Sequence, residues 1–151
     1  MSVFEIRGGN RLSGEIIPQG AKNEVLQILC AVLLTTEPVR IKNIPDIRDV
    51  NRLIEILEDL GVKVQKNAKG DYTFQADNIQ MDYLQTKEFK KDGAALRGSI
   101  MLMGPLLAKY GKAYMPKPGG DKIGRRRLDT HFQGFINLGA KYRFEEGEDF
   151  Y

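Results

Sequence analysis

Two stretches of this 151-residue chain, 23–34 and 97–108, are apolar almost all the way round, have the same length and lie 74 positions apart. In the first, Gln27 is the only polar residue between Val25 and Leu34, and the second is interrupted only by Arg97, Ser99 and the Gly104-Pro105 pair. A helix that is apolar on every side must be buried on every side. The chain therefore has to be arranged around two such helices, the second kinked or locally irregular at Pro105.

A second echo fixes the repeating unit. Leu60-Gly61-Val62-Lys63-Val64 returns as Leu138-Gly139-Ala140-Lys141-Tyr142, 78 positions later. Residues 46–60 carry Ile47, Val50, Leu53, Ile54, Leu57 and Leu60 at spacings of three and four, an amphipathic helix with one core face. Gly61 is placed to end it, and 129–138 is its shorter counterpart. Alternating or β-rich runs at 39–43, 62–64, 71–76, 112–115 and 140–144 read as strands, whereas 83–93, polar and lysine-rich, reads as a loop or frayed helix. Residues 4–7 and 12–17 read as two further strands joined through Gly8-Gly9-Asn10. The unit is strand, buried helix, strand, amphipathic helix, strand, and its second copy starts near 94. That copy is longer by about four residues within 116–124, and an insertion confined to one copy of a repeat is where function tends to be grafted.

The insertion is basic. Seven lysines and arginines between Lys109 and Arg127 surround one carboxylate, Asp121, among prolines and glycines. The net charge of the whole chain is only +3, so this is a local feature and not a coat for nucleic acid. Arg125-Arg126-Arg127 reads either as a solvated charge run or as a patch for phosphates, and Tyr110 and Tyr114 are thin provision for stacking bases. One cysteine and one histidine leave no set of ligands for zinc, and neither a metal nor a cofactor is expected. Cys30 reads as core. With no apolar run near the roughly 20 residues of a membrane span, the expectation is a cytoplasmic protein that uses neither membrane nor nucleic acid.

Lys22-Asn23 stands at the start of the first apolar helix, where exposed N–H groups and the helix dipole favour an anion. The plainer reading makes Asn23 an N-cap and Lys22 a solvated flank. Arg97 occupies in the second copy the place of Asn23 in the first, so pseudo-symmetric packing would gather Lys22, Asn23 and Arg97 at one end of the two helices. A surface arginine is the alternative. His131 suits a structural role as well as a catalytic one.

The set Gly20-Ala21-Lys22-Asn23, Leu96-Arg97-Gly98-Ser99, Gly104-Pro105-Leu106 and Pro118-Gly119-Gly120-Asp121-Lys122-Ile123-Gly124, followed by Arg126, Asp129 and His131, closely resembles the UDP-N-acetylglucosamine 1-carboxyvinyltransferase family of enolpyruvyl transferases. The resemblance covers the whole chain and implies an α/β fold, an inside-out, barrel-like lobe of repeated β-α-β-α-β units with buried helices, here incomplete. It implies that 1–20 supplies strands to a second lobe and that 21–151 holds about two of three repeats of the first. The implied reaction moves the enolpyruvyl group of phosphoenolpyruvate to the 3′-hydroxyl of UDP-N-acetylglucosamine and releases phosphate, in peptidoglycan synthesis. By the same resemblance Lys22 and Asn23 bind phosphoenolpyruvate, Arg97 contacts the UDP-sugar, Arg126 helps hold phosphates, and Arg126, Arg127, Leu128, Asp129 and Thr130 line the UDP-sugar site. Asp121, where most members have cysteine, is the implied proton donor, and the family's inhibitor fosfomycin, which alkylates that cysteine, loses its target. Arg127 replaces a common proline. The 151 residues are expected to lack turnover by themselves and, as an unfinished lobe, to self-associate. The alternative is a non-catalytic module that binds phosphate ligands or nucleic acid.

Overall fold

The computed structural model describes residues 3–117, 119, 127–144 and 151. In chain order, α1 (Lys22–Ala31) continues as a 3-10 turn (Val32–Leu34), followed by β1 (Val39–Ile41), α2 (Arg48–Asp59), β2 (Lys63–Ala68) and β3 (Asp71–Gln75). A 3-10 turn at Met81–Gln85 leads into α3 (Lys87–Ala95). A 3-10 segment (Arg97–Leu102) then runs into α4 (Met103–Tyr110), and α5 (Asp129–Asn137) closes the series.

The three strands form one antiparallel sheet in the order β1-β3-β2. Phe74 at its centre faces Val39 on one side and Val64 on the other, and is fully buried. Helix α1 packs on the 97–102 segment and on α2, while the 32–34 turn packs on α4. First halves therefore meet first halves and second halves meet second halves, so the two apolar helices of the repeat lie side by side in parallel. Leu29 and Leu33 from the first copy and Leu102 and Leu106 from the second are all fully buried at this contact layer. Gly98 permits the approach: a Cβ there would stand 3.1 Å from Leu26 Cδ1.

The two copies also end their amphipathic helices alike. After α2, Gly61 N–H donates to Glu58 C=O and Val62 N–H to Leu57 C=O. After α5, Gly139 N–H donates to Ile136 C=O and Ala140 N–H to Phe135 C=O. This is the Schellman closure, and both glycines take it at positive φ, 104° and 93°.

Five expectations change. Residues 4–7 and 12–17 form no strands, because nothing among the described residues offers them a ladder. Val3, Phe4, Ile6, Leu12, Ile16 and Ile17 are between 84% and 92% exposed. Residues 112–115 and 140–144 are not strands either, although Met115 and Tyr151 exchange a pair of backbone hydrogen bonds. Helix α1 is not enclosed on every side, since Ile28 is 41% exposed. The stretch read as loop or frayed helix contains α3, capped by Thr86 Oγ1, which accepts from Phe89 N–H at 3.2 Å, and anchored by the fully buried Phe89. Pro105 falls in the first turn of α4, where no intrahelical N–H is needed. The irregularity expected at Pro105 is not there; the helix is regular through it, and the irregular stretch is the 3-10 segment Arg97–Leu102.

Arg40 clamps the sheet edge with two hydrogen bonds to Asp71, 2.9 and 2.7 Å, and these, with a further one from Asn67, hold the Asp71 carboxyl down at about 2. A depressed carboxyl stabilises the fold fully above its ordinary value near 3.8 and loses that contribution as pH falls toward 2. The stability difference between wild type and Asp71→Asn, read from urea midpoints, should therefore shrink between about pH 5 and about pH 2.5; a constant difference would contradict the pairing. A second measurement separates the two repeat closures. Gly139 has open space where a Cβ would go, whereas at Gly61 a Cβ would strike the Asn78 carbonyl oxygen. Gly139→Ala is expected to cost about 1 kcal/mol for positive φ alone, and Gly61→Ala at least about 1 kcal/mol more; equal costs in denaturant melts would refute the steric account.

Candidate functional site

Because the two apolar helices run in parallel, their starting residues share one end of the molecule, and a cleft of about 730 Å³ opens there. Lys22 and Asn23 from the first turn of α1, Arg48 and Asp49 from the first turn of α2, Arg52 one turn on, and Arg97 with Gly98 all line it. The gathering of Lys22, Asn23 and Arg97 expected from the repeat is thus present. Gly20 and Asn43 set the entry: Asn43 adopts a φ of 59°, and a Cβ on Gly20 would collide with its carbonyl oxygen.

Asn23 is not the cap of α1. That position belongs to Ala21, whose backbone is extended and whose side chain caps nothing, so Asn23 sits inside the first turn with its amide exposed on the cleft side. Nor is Lys22 a solvated flank, for its Nζ donates to Asp49 Oδ2 at 2.8 Å, with both side chains less than half exposed. Arg97 begins the 3-10 segment behind the extended Leu96 and is partly buried. Ser99, fully buried one residue beyond Gly98, has its hydroxyl 2.8 Å from Gly93 C=O and 2.7 Å from Leu96 C=O, which fastens this segment to the end of α3.

Sequence reasoning missed Arg48, Asp49 and Arg52. The signal was present: Arg48 and Arg52 are four apart on the polar side of an amphipathic helix, hence on one face, at the end where the helix begins. What the sequence alone could not supply was that α2 starts beside α1. Arg52 donates from Nη2 to Asp92 Oδ1 on α3 at 2.6 Å, both side chains about a quarter to a third exposed, and its Nε is enclosed without a hydrogen-bond partner among the described residues. Four cationic side chains line the cleft, two of them paired, Lys22 with Asp49 and Arg52 with Asp92, and the exposed N–H groups of two helix starts favour an anion there. The arrangement is suited to hold a small ligand carrying two or more negative groups.

The remaining residues fall elsewhere. Asp121 and Arg126 lie outside the described residues. Arg127, Leu128, Asp129 and Thr130 surround the start of α5 and do not line this cleft; Arg127 Nε pairs with Asp129 Oδ2 at 2.6 Å, and Leu128 packs on the core. His131 is exposed in the first turn of α5. A second cavity, about 500 Å³, lies between α4, α5 and Tyr151, but its walls are largely apolar and aromatic, with Phe132, Phe135, Tyr142 and Tyr151 prominent. Cys30 is buried, and desolvation pushes its thiol far up from its ordinary value. Among the described residues no three His, Cys, Asp or Glu side chains cluster as a metal would require, and no helix is long and apolar enough to cross a membrane.

With this geometry in view, comparison with known proteins is informative. The family model for EPSP synthase (3-phosphoshikimate 1-carboxyvinyltransferase) matches residues 6–150. The UDP-N-acetylglucosamine 1-carboxyvinyltransferase of Bacteroides thetaiotaomicron is 58% identical over all 151 residues, which correspond to 35% of its own length. That of Porphyromonas gingivalis is 55% identical over 140 residues, 93% of this chain and 32% of the relative, and that of Treponema denticola is 40% identical over 151. The chain thus spans about a third of the length of the curated relatives it matches. In fold it is similar to the crystal structure of the enolpyruvyl transferase NikO from Streptomyces tendae, with a TM-score of 0.58 at 24% identity over 86% of this chain and 27% of that one. The match across nearly the whole chain places it: this protein belongs to the EPSP synthase family, the enolpyruvyl transferases.

Proposed function

We propose that these residues form one wall of a site that transfers the enolpyruvyl group of phosphoenolpyruvate to the 3′-hydroxyl of UDP-N-acetylglucosamine. The observation that carries this reading is the convergence of Lys22, Asn23, Arg48, Arg52 and Arg97 on a single cleft at two helix starts. Phosphoenolpyruvate brings a phosphate and a carboxylate, and the UDP-sugar a diphosphate, which is the charge such a cleft takes up. The names of the relatives favour this acceptor over a shikimate phosphate, and so does the Pro118-Gly119-Gly120-Asp121 run.

In the reading proposed, Lys22 and Asn23 hold phosphoenolpyruvate, with Asp49 keeping the Lys22 ammonium at the mouth of α1. Arg97 takes the UDP-sugar, joined by Arg126, Arg127, Leu128, Asp129 and Thr130. The sugar 3′-oxygen attacks C2 of phosphoenolpyruvate while Asp121 delivers a proton to C3, giving a tetrahedral adduct. Loss of a C3 proton and of phosphate from C2 restores the double bond. Asp121 must then be protonated near neutrality, far above the roughly 3.9 of a free aspartate. Basic neighbours oppose this, whereas two bound anions neutralise them and raise the acid's pKa within the ternary complex. The base that receives the hydroxyl proton is assigned to the part of the protein beyond these residues.

The exposed apolar side chains at 3–17 support a further assignment: 1–20 are strands of a second lobe, and 21–151 hold about two of the three repeats of the first. Isolated from that lobe, such a surface self-associates. A cytoplasmic setting in peptidoglycan synthesis, and through it cell shape and division, belongs to the same proposal.

Phosphate release by the full-length protein, supplied with both substrates, tests the reaction, and absence of release from wild type rejects it. Asp121→Asn is expected to lower kcat by roughly a hundredfold or more; wild-type turnover in that variant would remove Asp121 as the proton donor. Fosfomycin is expected to leave residues 1–151 unmodified in intact-mass and peptide mapping, since the loop offers a carboxylate and the one thiol, Cys30, is buried and held protonated. A rapid adduct on Asp121 would contradict this.

A further inference from the structure

We infer that Arg52 is a positioning residue that links the anion-binding cleft to the stem of the Asp121 loop through Asp92. Arg52 lines the cleft beside Lys22 and Arg97, while its Nη2 reaches across to Asp92 at 2.6 Å on α3, 40 positions away in the chain. The next two residues of α3 hold the stem of the loop. Gly119 N–H donates to Ala94 C=O at 2.6 Å, and the Pro116 ring lies so close to Gly93 that a Cβ there would come within 2.8 Å of Pro116 Cγ. Gly119 stands two residues before Asp121 in sequence. The same end of α3 is tied by Ser99 to the segment that begins with Arg97.

Asp92, Gly93 and Ala94 are consecutive, so whatever fixes the first fixes the orientation of the other two. The ion pair is partly enclosed, which makes it less screened than a surface pair. Arg52 thereby holds the end of α3 that carries both the segment of Arg97 and the loop stem.

In the full-length protein Arg52→Ala and Asp92→Asn are each expected to lower kcat roughly tenfold while changing either KM less than about threefold. The double variant should be no slower than the slower single variant, and the exchange of Arg52→Asp with Asp92→Arg should recover part of the loss. Unchanged kcat, or losses that multiply to roughly a hundredfold, would overturn the inference. This kinetic arm rests on the enolpyruvyl-transfer reading. Amide exchange of ligand-free protein does not: exchange at Gly119 is expected to be roughly tenfold faster in Arg52→Ala than in wild type, with Phe74 in β3 unchanged. Equal rates at Gly119, or acceleration spread evenly into β3, overturn the positioning role whatever the substrate is. If wild type releases no phosphate from the two substrates, the proposed function falls and the exchange measurement alone decides the link.

Discussion

The parallel burial of the two apolar repeat helices is the contact on which the rest of the molecule depends. Leu29 and Leu33 pack in the same layer as Leu102 and Leu106, all without solvent exposure, and Gly98 lets the chains approach to side-chain contact with Leu26. Each fully buried leucine contributes roughly 1.5–3 kcal/mol by area removed from water. Reversing one helix would keep the apolar burial but place Arg97 at the opposite end from Lys22. Direction, and not hydrophobicity, makes the cleft.

That direction has an electrostatic consequence. Helix starts carry partial positive charge, and here Lys22, Arg48, Arg52 and Arg97 gather beside them, with Glu24 and Asp49 as the carboxylates in the first turns of α1 and α2. Asp49 pairs with Lys22 and Asp92 with Arg52, so that two of these cations are held in place by carboxylates from α2 and α3.

Helix α3 shows why some of the site was illegible. Lys87–Ala95 contains one large apolar residue, Phe89, so no period could emerge from its sequence; what makes it helical is Thr86 at its cap and the burial of that single ring. The Thr86-x-Glu88 start was a usable signal. The N-terminal stretch failed in the opposite way. Its alternation at 4–7 and 12–17 was a sound strand pattern, but a strand is a relation between two segments, and among the described residues no partner lies beside it. Arg48 and Arg52 were visible as a charged face of α2, yet their chemistry depends on a neighbour, Asp92, 40 residues away.

The sequence by itself determined the repeat, the amphipathic face of α2 and the glycine closure at Gly61, and it offered Lys22, Asn23 and Arg97 as one set beside plainer readings of each. Each of these rests on local periodicity, on a backbone angle only glycine adopts freely, or on equivalence between copies. Tertiary structure decided that Ala21 and not Asn23 caps α1, that Asp49 holds Lys22, that Arg52 bridges α2 to α3, and that α3 grips the stem at Gly119. Those are hydrogen bonds and ion pairs between groups distant in the chain. Their existence depends on distances of a few ångströms that only the packing of the core sets.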